Sequence, residues 1–112
     1  MQHIHRLASA IDVDRVRRQG RSQGSPLMVV VADASPLPYP RFAFVAGKGV
    51  GGAVQRNRAK RRLRAACQAL LPRIAPGWDI VLIARSPVLA AEWPAVLDTG
   101  LRLLRRAGAI HD

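Results

Sequence analysis

Three runs of apolar residues predict the strands of one buried sheet. Residues 27–32 (LMVVVA) and 78–84 (WDIVLIA) are almost continuous in aliphatic side chains, which is typical of a buried strand. In residues 41–46 (RFAFVA), Phe42 and Phe44 share one face of a third strand, because side chains alternate between the two faces. The pattern therefore predicts a sheet with three strands.

A short helix is predicted before the first strand, over residues 9–19. Ser9 is suited to the N-cap, and Asp12 follows three positions later, as in a capping box. Gly20 then provides a natural end for the helix.

Two longer helices are predicted over residues 53–71, ending at Pro72, and over residues 93–106. Three leucines at helical spacing form the inward stripe of the last helix: Leu97, Leu101 and Leu104. The resulting order is α-β-β-α-β-α, and 112 residues suit a single domain spanning 1–112. This order favours the α+β class, with a sheet covered by helices in a two-layer α-β sandwich.

The helix over residues 53–71 has one apolar and one strongly basic face. Helical spacing aligns a narrow apolar stripe that can pack on the sheet: Ala59, Leu63, Ala66 and Leu70. The opposite face carries an amide and four cations: Asn57, Arg58, Lys60, Arg61 and Arg64. Arg56 and Arg62 lie near the borders between the faces, where their stems can cover apolar surface.

This concentration of positive charge indicates a polyanionic partner. Like charges one turn apart destabilise a helix, and cations near its N-terminus oppose the helix dipole. The whole chain carries 18 basic against 7 acidic residues, a net charge of +11, which favours nucleic acid over an anionic membrane surface. Arginine predominates, and its planar fork suits phosphate contact and base stacking.

The start of this helix offers a second feature for binding anions. Gly51 and Gly52 would let a phosphate approach the free amides of the first turn, and Lys48 could reach the same place from the loop. The arrangement is not a nucleotide-binding P-loop, because Lys48 precedes both glycines. Asn57 is equally well explained as an amide that stabilises the turn.

Little in the sequence indicates catalysis or metal binding by the protein itself. The single cysteine, Cys67, excludes an intrachain disulfide and a cysteine-based zinc site. His3 and His5 lack a third ligand and are predicted to be surface residues. No apolar run approaches the roughly 18 residues of a membrane-spanning helix, which favours a cytoplasmic protein.

A nuclease with its own catalytic metals would need clustered carboxylates. Along the chain they are scattered: Asp12, Asp14, Asp33, Asp79, Glu92, Asp98 and Asp112. Asp79 is interpreted as a turn or strand-edge residue. We therefore predict no catalytic and no metal-ligating residue in this chain.

The sequence AVQRNRAKRRLR at residues 53–64 closely resembles the Arg-Asn-Arg motif of the bacterial ribonuclease P protein subunit. RFAFVAGKGVGGAV before it, WDIVLIARSP after it and VRRQGRS near the N-terminus resemble the flanking segments of that family. The resemblance implies a left-handed β-α-β crossover, of the ribosomal protein S5 domain 2 type, whose crossover helix carries the motif.

The resemblance also implies a function. The protein would assemble with a catalytic RNA that uses Mg²⁺ to cleave the 5′ leader from precursor tRNA, an endonucleolytic phosphodiester hydrolysis. The motif would contact that RNA through seven residues: Lys48, Arg56, Asn57, Arg58, Lys60, Arg61 and Arg64. A cleft between the first helix and the sheet would hold the single-stranded leader.

The chain departs from the family pattern at that cleft. Three positions that are aromatic in the family align with Val13, Arg17 and Val31, so the leader would be held more by charge than by stacking. Gly49 also replaces the second of the family's paired lysines. A general basic RNA-binding or ribosome-associated protein, without a role in processing, remains the alternative function.

Overall fold

The chain folds into a four-stranded sheet with helices on both faces. The structure is a computed structural model that describes residues 2–111. Its helices are α1 (Ala10–Gln19), α2 (Ala53–Leu70) and α3 (Trp93–Arg106), and its strands are β1 (Arg21–Gly24), β2 (Met28–Ala34), β3 (Arg41–Val45) and β4 (Trp78–Ala84). The predicted α+β class and all six predicted elements are confirmed.

The sequence pattern missed strand β1. Its residues, RSQG, are polar and largely exposed, so they carry no apolar alternation. Backbone pairing makes them a strand, because β1 runs antiparallel to β2 from Arg21 opposite Ala32 to Gly24 opposite Val29. The prediction of three strands was wrong for this reason, and the order is α-β-β-β-α-β-α.

The sheet has the strand order β1-β2-β4-β3. Strands β2 and β4 are antiparallel, whereas β3 and β4 are parallel neighbours joined through α2. Parallel neighbours require a crossover connection. Helix α2 is thus the crossover helix, as the resemblance implies.

Alternation along the strands creates two apolar layers. The larger core lies between the sheet and helices α2 and α3, where Phe42, Ile80 and Leu82 are buried. A smaller cluster lies on the opposite face, where Val16 of α1 packs on Val31 and Val81. Phe42 and Phe44 share the larger core, with ring centroids 6.3 Å apart, as predicted.

Helix α2 packs through the stripe that the sequence predicts. Its buried residues are Ala59, Leu63, Ala66, Cys67 and Leu70. Burial raises the pKa of the Cys67 thiol to about 12, so this thiol stays protonated and unreactive at neutral pH.

The predicted stripe of α3 was only partly right. Leu104 is fully buried, but Leu97 and Leu101 lie at its margin and are half-buried. Val96 and Leu103 occupy the centre instead. Positions 96, 100, 103 and 107 have the same helical spacing as the leucines but are shifted by one residue along the helix, which turns the buried face by about 100°.

The ends of α1 follow the predicted signals. Ser9 Oγ accepts a hydrogen bond from the Asp12 amide at 3.4 Å, and the Gly20 amide donates to the Val16 carbonyl at 2.8 Å. Gly20 has an ordinary φ of −74°. Glycine is needed here for space, because a Cβ would lie 2.6 Å from the Val16 carbonyl oxygen and 2.8 Å from that of Ala32.

Candidate nucleic-acid interface

The basic face of α2 points away from the core, as predicted. Asn57, Arg58, Arg61 and Arg64 are exposed, and Lys60 is half-buried. Among residues 2–111 the ion pairs involve Arg15, Arg18 and Arg41, and none involves a cation of α2. The positive charges of this face are therefore uncompensated within the described part of the protein.

Part of this face forms a shallow groove of about 430 Å³. It is lined by one apolar and four polar or basic side chains: Val54, Asn57, Lys60, Arg61 and Arg64. Arg58 is exposed but lies outside the groove, and Arg56 is half-buried at the border of the face. Four of the seven predicted RNA contacts thus come together in one groove.

The start of α2 has the geometry expected of an anion site. Gly51 has a φ of +141°, and Gly52 is an N-cap without a side-chain hydrogen bond. A Cβ on Gly51 would lie 2.9 Å from Cβ of Gln55, so conformation and space both favour glycine. Lys48 lies in the short 3₁₀ turn before these glycines and is exposed.

Arg62 of α2 has a structural role, because it hydrogen-bonds to the backbone of a neighbouring turn. Its Nη1 donates to the Val88 carbonyl at 2.5 Å and to the Leu89 carbonyl at 3.3 Å. These carbonyls belong to the 3₁₀ turn Ser86–Leu89 after β4. The predicted border position is confirmed, and Arg62 ties α2 to this turn.

We expect Arg62→Ala to reduce the free energy of unfolding by about 1–3 kcal/mol, because the carbonyls of buried Val88 and half-buried Leu89 would lose their charged donor. Denaturant titration measures this reduction. RNA affinity in the folded variant should change less than about threefold, since the side chain points toward the turn. A variant with weaker affinity but unchanged stability would contradict this assignment.

A cluster of charges lies on the other face of the sheet, beneath α1. Asp33, Asp79 and Arg41 occupy opposed positions on three adjacent strands. Arg41 makes a bidentate contact with Asp79, at 2.9 and 2.8 Å. Arg15 of α1 bridges the two carboxylates, with Nη1 2.5 Å from Asp33 and Nη2 2.6 Å from Asp79. This charge cluster fastens α1 to the sheet.

The interpretation of Asp79 as a turn or strand-edge residue was wrong. Asp79 lies on the central strand β4 and is only 1% exposed. The carboxylates are also less scattered than the sequence suggested, because Asp12 lies 3.6 Å from Arg15, which also contacts Asp33 and Asp79. These carboxylates surround guanidinium groups, and no group of metal-ligating side chains is found within residues 2–111.

Burial alone would raise the pKa of Asp79, but hydrogen bonds and charges from Arg41 and Arg15 outweigh it and lower the pKa below its ordinary value of 3.8. A carboxylate whose pKa is lower in the folded than in the unfolded protein stabilises the fold at pH values above its unfolded-state pKa. This stabilisation is lost as the pH falls through its folded-state pKa. We therefore expect the free energy of unfolding to fall once the pH drops below about 4. Denaturant titrations between pH 7 and pH 2, on the parent protein and on Asp79→Asn, isolate the contribution of Asp79 to the pH dependence of stability. If the free energy of unfolding depends on pH in the same way in both, Asp79 makes no such contribution.

The three predicted cleft residues lie on or beneath α1. Val13 is half-buried and Arg17 is exposed, whereas Val31 is only 4% exposed and packs against Val16. Val31 consequently offers little surface to a ligand. Next to it, the sheet leaves four apolar side chains half-buried: Val29, Ala43, Val45 and Ile83.

The prediction that His3 and His5 are both surface residues holds for only one of them. His3 is exposed as predicted, but His5 is half-buried. Its Nδ1 lies 2.7 Å from the Pro40 carbonyl, and its ring meets that of Tyr39 edge-on, with centroids 6.1 Å apart.

None of the helices in residues 2–111 combines the length and the apolar character that a membrane span requires.

The family model described as Ribonuclease P matches residues 1–108. This chain belongs to the ribonuclease P protein family. The ribonuclease P protein component of Roseiflexus castenholzii is 42% identical over 99% of this chain and 92% of its own length. That of Symbiobacterium thermophilum is 40% identical, over 99% of this chain and 97% of its own.

A solved structure supports the assignment. The RNase P protein from Thermotoga maritima is 28% identical, with a TM-score of 0.81 over 90% of this chain and 96% of that one. The recognition made from the Arg-Asn-Arg motif is confirmed. As a ribonuclease P protein the chain has an RNA partner, and the general RNA-binding alternative is not favoured.

Proposed function

We propose that the outer face of α2 binds the catalytic RNA of ribonuclease P. The observation that carries this proposal is the row of uncompensated cations on a helix whose other face is fixed in the core. Asn57, Lys60, Arg61 and Arg64 would follow an RNA backbone along the groove, while Arg56 and Arg58 extend the contact at its sides. Lys48 and the free amides at the start of α2 would hold a further phosphate.

The leader of precursor tRNA would bind on the other face, beside α1. The half-buried apolar side chains there offer a surface for bases, and Arg17, next to Val13, offers charge for phosphates. The chain lacks the aromatic residues of the family at these positions, so charge should contribute more than stacking. Val31 would support this surface from below.

In this proposal the RNA performs the hydrolysis with Mg²⁺, in the cytoplasm, and the protein increases the affinity for the substrate. Arg15 engages the carboxylates of Asp33 and Asp79, and Arg41 also engages Asp79, which leaves these two carboxylates unsuited to hold a catalytic metal. No protein side chain is given a catalytic role.

Reconstitution tests the proposal. The purified protein should not cleave precursor tRNA alone, but should stimulate cleavage by the catalytic RNA at low Mg²⁺. Cleavage without RNA would indicate a protein nuclease, and absence of stimulation would leave only general RNA binding. Arg17→Ala should weaken binding of precursor tRNA more than that of mature tRNA, which tests the leader surface separately.

A further inference from the structure

A second groove runs along the outer edge of β3, between the N-terminal residues and α2. We call it the edge groove; its volume is about 510 Å³, within the range of about 300–1,000 Å³ typical of ligand sites. Lys60 and Arg64 line both this groove and the shallow groove on α2. The edge groove therefore continues the basic face of α2 around the side of the sheet.

The outer wall of the edge groove is fixed to the protein. The Leu7 amide donates to the Phe42 carbonyl at 2.8 Å, and Leu7 is only 3% exposed. His5 donates from Nδ1 to the Pro40 carbonyl at 2.7 Å. The groove is thus bounded by anchored side chains.

The floor of the groove presents backbone hydrogen-bonding groups. Strand β3 is the last strand of the sheet, with β4 on one side only. Because the Phe42 carbonyl points outward to Leu7, alternation along the strand turns the amide and carbonyl of Phe44 outward too. The isolated pairing of the N-terminal residues with β3 is at Arg6 and Phe42, so Phe44 offers a donor and an acceptor beyond it.

The inner wall presents a flat cation. The guanidinium of Arg64 lies over the Phe44 ring, 5.3 Å from its centroid. A planar guanidinium positioned over an aromatic ring can stack a nucleobase on its other side. Arg6 and Lys60 add positive charge, and the lining residues that the structure describes include no carboxylate.

The geometry points to a binding site for a single unpaired nucleotide of the RNA in the edge groove. The base stacks on Arg64, its edge bonds to the backbone of Phe44, and Arg6 and Lys60 neutralise its phosphate. This inference rests on the proposed function and extends the RNA interface beyond α2. An added peptide strand fits less well, because the N-terminal residues already occupy β3 at Phe42.

A photo-cross-linking experiment in the reconstituted holoenzyme locates the nucleotide. Ala8 lines the groove and is exposed, so Ala8→Cys can carry an azidophenacyl group, while buried Cys67 stays unlabelled. Primer extension should map its cross-links to one or two adjacent unpaired nucleotides of the RNA subunit. The same label at exposed Ala95 of α3 controls for random contact.

The outcomes separate this inference from the proposed function. A label at Val54, in the shallow groove of α2, should cross-link to the RNA if the proposed function holds. Cross-links from Val54 with none from Ala8, or with Ala8 cross-links only in paired helices, would overturn the nucleotide site alone. If neither label cross-links to the RNA, the proposed function is overturned as well.

A charge-conserving substitution tests the stacking. Arg64→Lys keeps the charge but removes the flat surface, so RNA affinity should fall about 5- to 150-fold, as for one stacked base. Arg61→Lys, in the shallow groove only, is the matched control and should reduce affinity less than about threefold. An abasic residue at the cross-linked nucleotide should remove the effect of Arg64→Lys. Equal reductions from both lysine variants, or an effect that survives the abasic residue, would overturn the site.

Discussion

Asp79→Ala should reduce the free energy of unfolding by about 3 kcal/mol. Truncating one partner of a buried ion pair leaves the others uncompensated, which typically costs about 3–5 kcal/mol. The lower end applies here because Arg15 and Arg41 are partly exposed, at 30% and 24%. Chemical denaturation at neutral pH measures the change.

Asp14→Ala is the matched control for this variant. Asp14 also pairs with an arginine, at 2.9 Å from Arg18, but the two side chains are 62% and 73% exposed. An exposed pair on a helix contributes less than about 1 kcal/mol. If both variants are destabilised equally, burial is not what makes the charge cluster important.

The double variant Arg58→Ala with Arg61→Ala should weaken binding of the catalytic RNA about 100-fold at low salt. Each arginine is expected to contribute a charged hydrogen bond of about 1.4 kcal/mol, or tenfold in affinity. Filter binding across a series of salt concentrations measures this effect. The slope of log affinity against log salt should also decrease by about 0.7 to 0.9 for each phosphate that the variant no longer neutralises.

The fold of this double variant should remain intact, because both side chains are exposed and form no ion pair within residues 2–111. Its thermal unfolding transition should therefore match that of the parent protein. An absent or strongly shifted transition would show that these arginines are structural. A weaker affinity with an unchanged salt slope would argue against phosphate contacts.

The elements with a strong apolar pattern were predictable from the sequence, and so was the basic face of α2. Helical spacing alone separates Ala59 and Leu63 from Arg58 and Arg61, since burial and charge follow the same periodicity. The polar strand β1 could not be found in this way. It is a strand because its backbone pairs with β2, and the types of its residues do not predict that pairing.

The charge cluster and the edge groove were missed for a related reason. Asp79 is far along the chain from Asp33 and Arg41, and only the register of β2, β4 and β3 brings the three together. One signal was present: Asp79 falls on the same face as Val81 and Ile83 within an apolar strand, where a carboxylate needs a buried partner. The edge groove had no comparable signal, because it depends on the path of residues 2–8.

Helix α1 has only 10 residues, too few to persist by itself in water. Since one guanidinium joins it to Asp33 of β2 and Asp79 of β4, detaching it would leave the buried Asp79 carboxylate with Arg41 as its remaining described partner. The amide protons of α1 should therefore exchange with solvent about as slowly as those of β4, and both should speed up together when Arg15 is removed. A short terminal segment would in this way share the cooperative unfolding of the whole domain.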